Sequence, residues 1–193
     1  MEEGMSLNQN DYGNNWERVV IGKEEKIPPK ETSRYVWACD NLIGKKILEL
    51  GCGCGYGLRL LPDDIDYIGV DNEDKIIEFA RQHYDDKGTF IVSDLKNIDF
   101  RGYDTIIAFE ILEHISYGKE LAQSLKKYCK CLMITVPYNE PKGFWGEHHV
   151  LHNLVEKDFP DFDIKYILYT GEISDKPIPD RNDNLMLMKW TKA

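Results

Sequence analysis

Two clusters in this chain combine residue types and spacings that can do chemistry. The first is Glu49-Leu-Gly51-Cys52-Gly53-Cys-Gly55-Tyr56-Gly57. Glycines at alternate positions permit a tight backbone turn and let a ligand approach the main chain closely. A carboxylate just ahead of the turn, Glu49, repels a pyrophosphate and attracts a ligand carrying a cationic amino acid moiety. Asp71 lies twenty residues beyond Gly51, where a carboxylate accepts hydrogen bonds from both hydroxyls of a ribose. Asp94, in Ser93-Asp94-Leu95, is placed to accept from an adenine amino group. Taken singly, each acid reads as a helix cap or turn residue. Three acids at successive strand ends, beside a glycine turn, read as a nucleoside site.

The second cluster is Glu110, Glu113 and His114, followed later by Gly146-Glu-His148-His149-Val-Leu-His152. Four of the five histidines fall in these two short segments, and only His83 lies outside. A helix starting at Phe109 would place Glu110, Glu113 and His114 on one face by their spacing of three and four. Carboxylates with imidazoles can hold a divalent cation, magnesium or manganese. Alternatively His114 acts alone as a general base near neutral pH. The purely structural alternative is a helix N-terminus stabilised by acids, with the later histidines packed on Trp145.

Alternating apolar segments and helices must position these residues. Lys46–Leu50, Tyr67–Asp71, Phe90–Val92, Thr105–Phe109 and Cys131–Val136 read as strands. A helix capped by Thr32 or Ser33 runs to Asn41, a helical stub covers Leu58–Leu61, and helices are expected over Glu73–Tyr84 and Lys119–Tyr128. Strands apolar on both faces and separated by helices imply a mostly parallel sheet covered on both sides. Ile164–Thr170 and Leu185–Trp190 follow without an intervening helix and are expected to pair antiparallel at one edge. The expected class is therefore α/β: a Rossmann-like sheet of seven strands with helices on both faces. Residues 1–30, rich in Asn, Glu, Lys and Pro, read as an N-terminal arm, and residues 31–193 as one domain.

Bulk properties narrow the function. A formal net charge of −10 opposes binding to a phosphate backbone, so a small-molecule acceptor is favoured over nucleic acid. Five cysteines, an odd number without a preceding apolar leader, and no apolar run long enough for a bilayer fit a cytoplasmic setting. Cys52/Cys54 and Cys129/Cys131 have C-x-C spacing, but one pair lies in the glycine turn and the other opens a strand. Buried free thiols are the preferred reading over zinc. Nothing in the pattern sets an oligomeric state.

The first cluster resembles the first motif of the class I methyltransferases that use S-adenosylmethionine (SAM). Asp71 matches their ribose-binding acid and Asp94 their adenine-contacting acid, and the resemblance runs from Arg34 to Phe159. The Pro-Gly-Gly turn that many relatives carry before the fifth strand is replaced here by Lys130-Cys131. The resemblance implies a SAM site built from Arg34, Glu49, Gly51, Cys52, Gly53, Gly55, Tyr56, Asp71, Asn72, Asp94, Leu95, Phe109 and Glu110. Glu110-x-x-Glu113-His114 further resembles the ubiquinone-biosynthesis O-methyltransferases. It is also similar to the RNA 3′-terminal 2′-O-methyltransferases, in which such residues join a later histidine around a metal. That resemblance implies a metal set of Glu110, Glu113, His114 and His148, although His148, His149 and His152 cannot be ranked from sequence. His114 is the first candidate base and His149 the second, with Tyr138, Trp145 and His149 on the acceptor side.

The expected activity is O-methylation of a small metabolite or sugar-type acceptor. Its rivals are an RNA-end 2′-O-methyltransferase and a catalytically silent SAM-binding partner protein. An NAD oxidoreductase is disfavoured because the third glycine of the dinucleotide fingerprint is replaced by Tyr56 and because Glu49 would face the pyrophosphate.

Overall fold

The computed structural model describes residues 20–192. Eight strands form one sheet in the order β3-β2-β1-β4-β5-β8-β6-β7. They are β1 Lys46–Leu50, β2 Asp66–Asp71, β3 Thr89–Val92, β4 Thr105–Phe109, β5 Cys131–Pro137, β6 Asp163–Ile167, β7 Ile173–Ser174 and β8 Leu185–Thr191. The first five are mutually parallel, and β8 runs antiparallel to both β5 and β6. The class is the expected one, with two corrections of detail. The two-residue β7 adds an eighth strand on β6. The late antiparallel pair is not simply an edge, because β8 is inserted between β5 and β6.

Alternation along each central strand explains the layers. Ile47, Ile107 and Met133 point to one face, with α1 (Pro29–Asn41) and α2 (Asp74–Tyr84). Leu48, Ile106 and Leu132 point to the other, with α3 (Gly118–Leu125). A strand buried on both faces is apolar at most positions, so these segments carry no polar alternation, and the exceptions, Glu49, Thr105 and Thr135, are buried with hydrogen-bond partners. Helix α2 buries Ile76, Ile77, Phe79, Ala80 and Tyr84, the stripe its sequence spacing predicts. Helix α3 ends at Leu125, short of the expected Tyr128, and buries Leu121, Ala122 and Leu125.

Helix α1 begins earlier than expected, at Pro29, a position whose preset φ suits the first turn. Thr32 and Ser33 are not its caps. Their hydroxyls donate back to the carbonyls of Pro28 and Pro29, at 2.9 and 2.8 Å. The segment before α1 is packed where it is described. Ile21 and Ile27 are buried in the α1/α2 face, and Arg59 donates to the carbonyls of Gly22 and Glu25, both at 2.9 Å. Tyr12 and Trp16, the arm's aromatic residues, lie outside the described residues.

Because β4 lies beside β1 on the side opposite β2, the chain reverses its direction of progress across the sheet there. A crevice opens outside the carboxyl ends of the strands at such a switch point, and ligands of open α/β sheets bind in it.

Candidate active site

A cavity of about 750 Å³ occupies this crevice. Gly51, Cys52, Gly53, Tyr56, Asp71, Asn72, Arg34 and Phe109 line it from the sheet and α1. Glu110, Glu113, His114, Trp145, His148 and His149 line it as well. Both sequence clusters therefore face one space.

The glycine turn is shaped by two backbone bonds, from the amides of Gly51 and Cys52 to the carbonyl of Val70 at 2.8 and 3.0 Å. Gly53 adopts φ +53°, and a side chain there would meet no atom, so its face is open. Its amide donates to Asp71 Oδ2 at 3.1 Å, while Oδ1 of Asp71 accepts from the Glu73 amide at 3.1 Å. Asp71 thus sits at the end of β2, bonded to both flanking loops and 7% exposed. Gly55 and Gly57 serve packing instead. A Cβ on Gly55 would come within 2.7 Å of Phe90, and one on Gly57 would collide with the Tyr35 ring.

Several residues expected at the cofactor lie off the cavity wall. Glu49 is buried beneath it, with one carboxylate oxygen accepting from Tyr35 at 2.5 Å and the other from Tyr67. Burial raises its pKa, and the two hydroxyls partly offset that rise. Gly55, Asp94 and Leu95 are also absent from the lining. Asp94 accepts from the Lys96 amide at 2.8 Å, capping the short helical turn Leu95–Asn97. Arg34 does reach the wall and donates to the Tyr56 hydroxyl. Burial opposes its charge, but Tyr56, Tyr35 and Glu110 outweigh that and push its pKa up.

The expected helix at Glu110 does not form. Glu110 takes a left-handed φ of +52°, and its amide donates across to the Thr135 carbonyl of β5 at 3.0 Å. Only a single turn, Leu112–His114, follows. Strain of this kind in a non-glycine residue costs on the order of 1–3 kcal/mol and concentrates at functional sites. Glu110 and Glu113 are both driven toward their neutral forms, chiefly by burial. The Glu110 charge adds to the rise at Glu113, whereas Arg34 counteracts the rise at Glu110. One oxygen of each, and the Nε of Arg34, are buried without a hydrogen-bond partner.

Tertiary folding brings one of the later histidines, His149, beside His114. The amides of Val150 and Leu151 donate to the Glu113 carbonyl at 2.9 and 3.0 Å, which docks the histidine segment on the first cluster. His149 then meets His114 edge to face, with ring centroids 4.7 Å apart. Ligand atoms of Glu113, His114 and His149 all lie within 4.8 Å of one another. His148 contributes its backbone carbonyl, which accepts from Nδ1 of His114 at 3.2 Å. Trp145 is on the wall, but Tyr138 is not; it packs on Tyr166 with centroids 5.1 Å apart. His83 stacks on Phe79 away from the cavity.

One residue escaped sequence reasoning. Glu140 is 1% exposed and accepts from His149 Nδ1 at 2.6 Å. The signal available was an acid directly before Pro141, three residues beyond β5 and nine residues ahead of a histidine.

Residues 47–133 match the family described as a methyltransferase domain. A phosphatidylethanolamine N-methyltransferase of Cereibacter sphaeroides is 23% identical over 117 residues, which is 57% of this chain and 56% of that protein. The chain therefore spans little more than half the length of this curated relative. Among solved structures, the magnesium protoporphyrin IX methyltransferase of Synechocystis PCC 6803 with bound SAM aligns with a TM-score of 0.58 at 19% identity. That alignment covers 86% of this chain and 78% of the other. The plantazolicin methyltransferase BpumL in complex with a triazolic desmethylPZN analog and S-adenosylhomocysteine (SAH) aligns with a TM-score of 0.63 at 18% identity, covering 86% of each chain. Among the described residues no helix is long and apolar enough to cross a membrane. The family match runs across the glycine turn, Asp71 and the Glu110–His114 segment, so the part of the chain that is similar to a methyltransferase domain is the part that builds this cavity.

Proposed function

We propose that this chain is an active SAM-dependent methyltransferase that methylates a hydroxyl oxygen of a small metabolite or sugar-type acceptor. The observation that carries this reading is one cavity lined by two chemically distinct groups: the glycine turn with Asp71, and Glu113 with His114 and His149.

In this reading the ribose of SAM lies on Asp71. Arg34 accompanies the methionine carboxylate, and Asn72, Phe109 and Glu110 flank the cofactor. Asp94 and Leu95 border the adenine only if they move onto the wall. The acceptor oxygen attacks the methyl carbon in line as the carbon–sulfur bond breaks. The bond's electron pair stays on sulfur, giving SAH, and the hydroxyl proton passes to an imidazole of His114 or His149. The protein contributes alignment and a base. The acidic composition keeps the preference for a small acceptor over nucleic acid.

The donor set also fits a divalent cation. Glu113, His114 and His149 converge, and Glu110 and Glu113 each bury an unpartnered oxygen. His149, rather than His148, is the later histidine in this set. A magnesium or manganese ion held there would lower the pKa of a nearby hydroxyl. Calorimetry with manganese in the presence of SAH tests this; no heat of binding at millimolar metal would remove the ion and leave the imidazoles as bases.

The central test is a panel of hydroxylated small molecules, with SAH release as the readout. His114→Ala and His149→Ala are each compared with the parent. Loss of the base slows transfer by about 10²–10⁴-fold, with SAH affinity retained. Tight NAD binding without SAM binding would overturn the reading.

A further inference from the structure

The carboxylate of Glu140 has no part in the mechanism above, yet it is among the most deeply buried charged groups of the molecule. It stands three residues beyond the end of β5, in the loop that returns at His149. Its two oxygens face different parts of that loop. Oε2 accepts from Nδ1 of His149 at 2.6 Å. Oε1 accepts from the backbone amide of Trp145 at 3.3 Å. Its own carbonyl accepts from the Asn153 amide at 2.8 Å, so its backbone is tied to the far side of the loop.

The loop it holds forms the mouth of the cavity. Phe144 and Trp145 line the cavity, are 46% and 41% exposed, and pack edge to face at 5.1 Å. They sit between Gly143 and Gly146, both at positive φ. The Phe144 amide donates to the Pro141 carbonyl at 3.1 Å, and the bond to Glu140 is what ties the Trp145 amide to a buried side chain. The imidazole has a different requirement. A ring that donates Nδ1–H to a carboxylate is held in one tautomer, with its lone pair on Nε2.

We infer that Glu140 is a positioning residue that fixes the His149 ring, with Nδ1 turned to the carboxylate and Nε2 left for the acceptor side, and ties the Trp145 lip to the same point. The inference rests on the proposed methyl transfer for its purpose but not for its geometry. The acceptor would then be gripped by an aromatic lip whose place is set by the carboxylate that orients the base. A planar or ring-bearing hydroxyl compound suits such a lip, because ring faces stack on aromatic side chains.

Two variants separate the oxygens. Glu140→Gln offers one acceptor oxygen and one amide donor group, so it cannot accept from both partners. The shorter bond is expected to survive, leaving His149 protonated on Nδ1, while exchange of the Trp145 amide speeds up roughly tenfold. Glu140→Leu removes both acceptors, and His149 is expected to shift its proton to Nε2. Long-range nitrogen–proton correlation of the imidazole rings in labelled protein reads the tautomer, with His149→Gln giving the assignment. SAH binding by calorimetry shows that each variant is folded.

A parent protein with His149 protonated on Nε2 would overturn the inference without any variant. So would a Trp145 amide whose exchange is unchanged in Glu140→Gln, or an Nδ1 proton that persists in Glu140→Leu. If Glu140→Leu does not fold, the parent tautomer and the Glu140→Gln exchange rate still decide. Because none of these readouts needs an acceptor, failure of the methyl-transfer assay and failure of this inference are told apart.

Discussion

Asp71 illustrates how one side chain can serve the fold and the proposed ligand together. Its oxygens hold the amides of Gly53 and Glu73, and a carboxylate can accept more than one bond per oxygen. Asp71→Ala is therefore expected to weaken SAH binding by about 1.5–3 kcal/mol, the value of a charged hydrogen bond, as measured by calorimetry. Glu49 has the opposite character. Its charge was expected at the ligand, but Tyr35 and Tyr67 occupy both oxygens below the cavity. Tyr35→Phe leaves a buried oxygen without its donor, which costs about 1–3 kcal/mol. Thermal denaturation should register that loss, while SAH affinity falls far less than in Asp71→Ala.

At the scale of elements, the sheet is fastened at the amino ends of its central strands by Asp104. Its Oδ2 accepts from the amides of Lys45 and Lys46 at 3.0 and 3.1 Å, and its Oδ1 accepts from Lys130 Nζ at 2.7 Å. One side chain thereby bridges the starts of β1 and β5 across β4. The Lys130 hydrogen bond, then that of the Lys46 amide, holds its pKa down at about 2. The unfolded carboxyl titrates near the ordinary value of about 3.9. The native state thus binds fewer protons in this window. Asp104 stabilises the fold above about pH 4, and that contribution is lost as pH falls from there toward 2. Asp104→Asn should lower the melting temperature at neutral pH and flatten its acid dependence over that window. The effect is modest because the ion pair is partly solvated. In the loop after β5, by contrast, no regular element holds the chain, and single side chains such as Glu140 take over that task.

For the whole molecule, the packing of the described part of the arm matters. Ile21 is 3% exposed, and its carbonyl accepts from the Tyr84 hydroxyl at 3.0 Å. The segment from Val20 to Pro28 is accordingly proposed to fold with the domain that follows. Ile21→Ala should cost about 2–5 kcal/mol in denaturant unfolding. Hydrogen exchange should show residues 20–28 protected without ligand.

The strands, their order of succession and the α/β class were legible in the sequence because burial on both faces demands unbroken apolar runs, which composition cannot disguise. The glycine turn and Asp71 were legible for a related reason. A tight turn at a strand end and a carboxylate at the next are local requirements, met within a few residues of chain. What local pattern could not decide was everything that depends on a partner distant in sequence. Glu110 was expected to begin a helix, but a bond to Thr135 on β5 draws it into a left-handed turn. Glu49 and Asp94 could be placed at strand ends, but whether a carboxylate faces the cavity depends on which hydroxyls or amides reach it first. The place of His149 beside His114 came from the Glu113 carbonyl, which receives two amides of the returning loop, and from Glu140, which meets His149 only once that loop closes. Sequence determined the elements because each is held by its own periodicity; tertiary structure decided the chemistry because hydrogen bonds and desolvation act between groups that the chain keeps far apart.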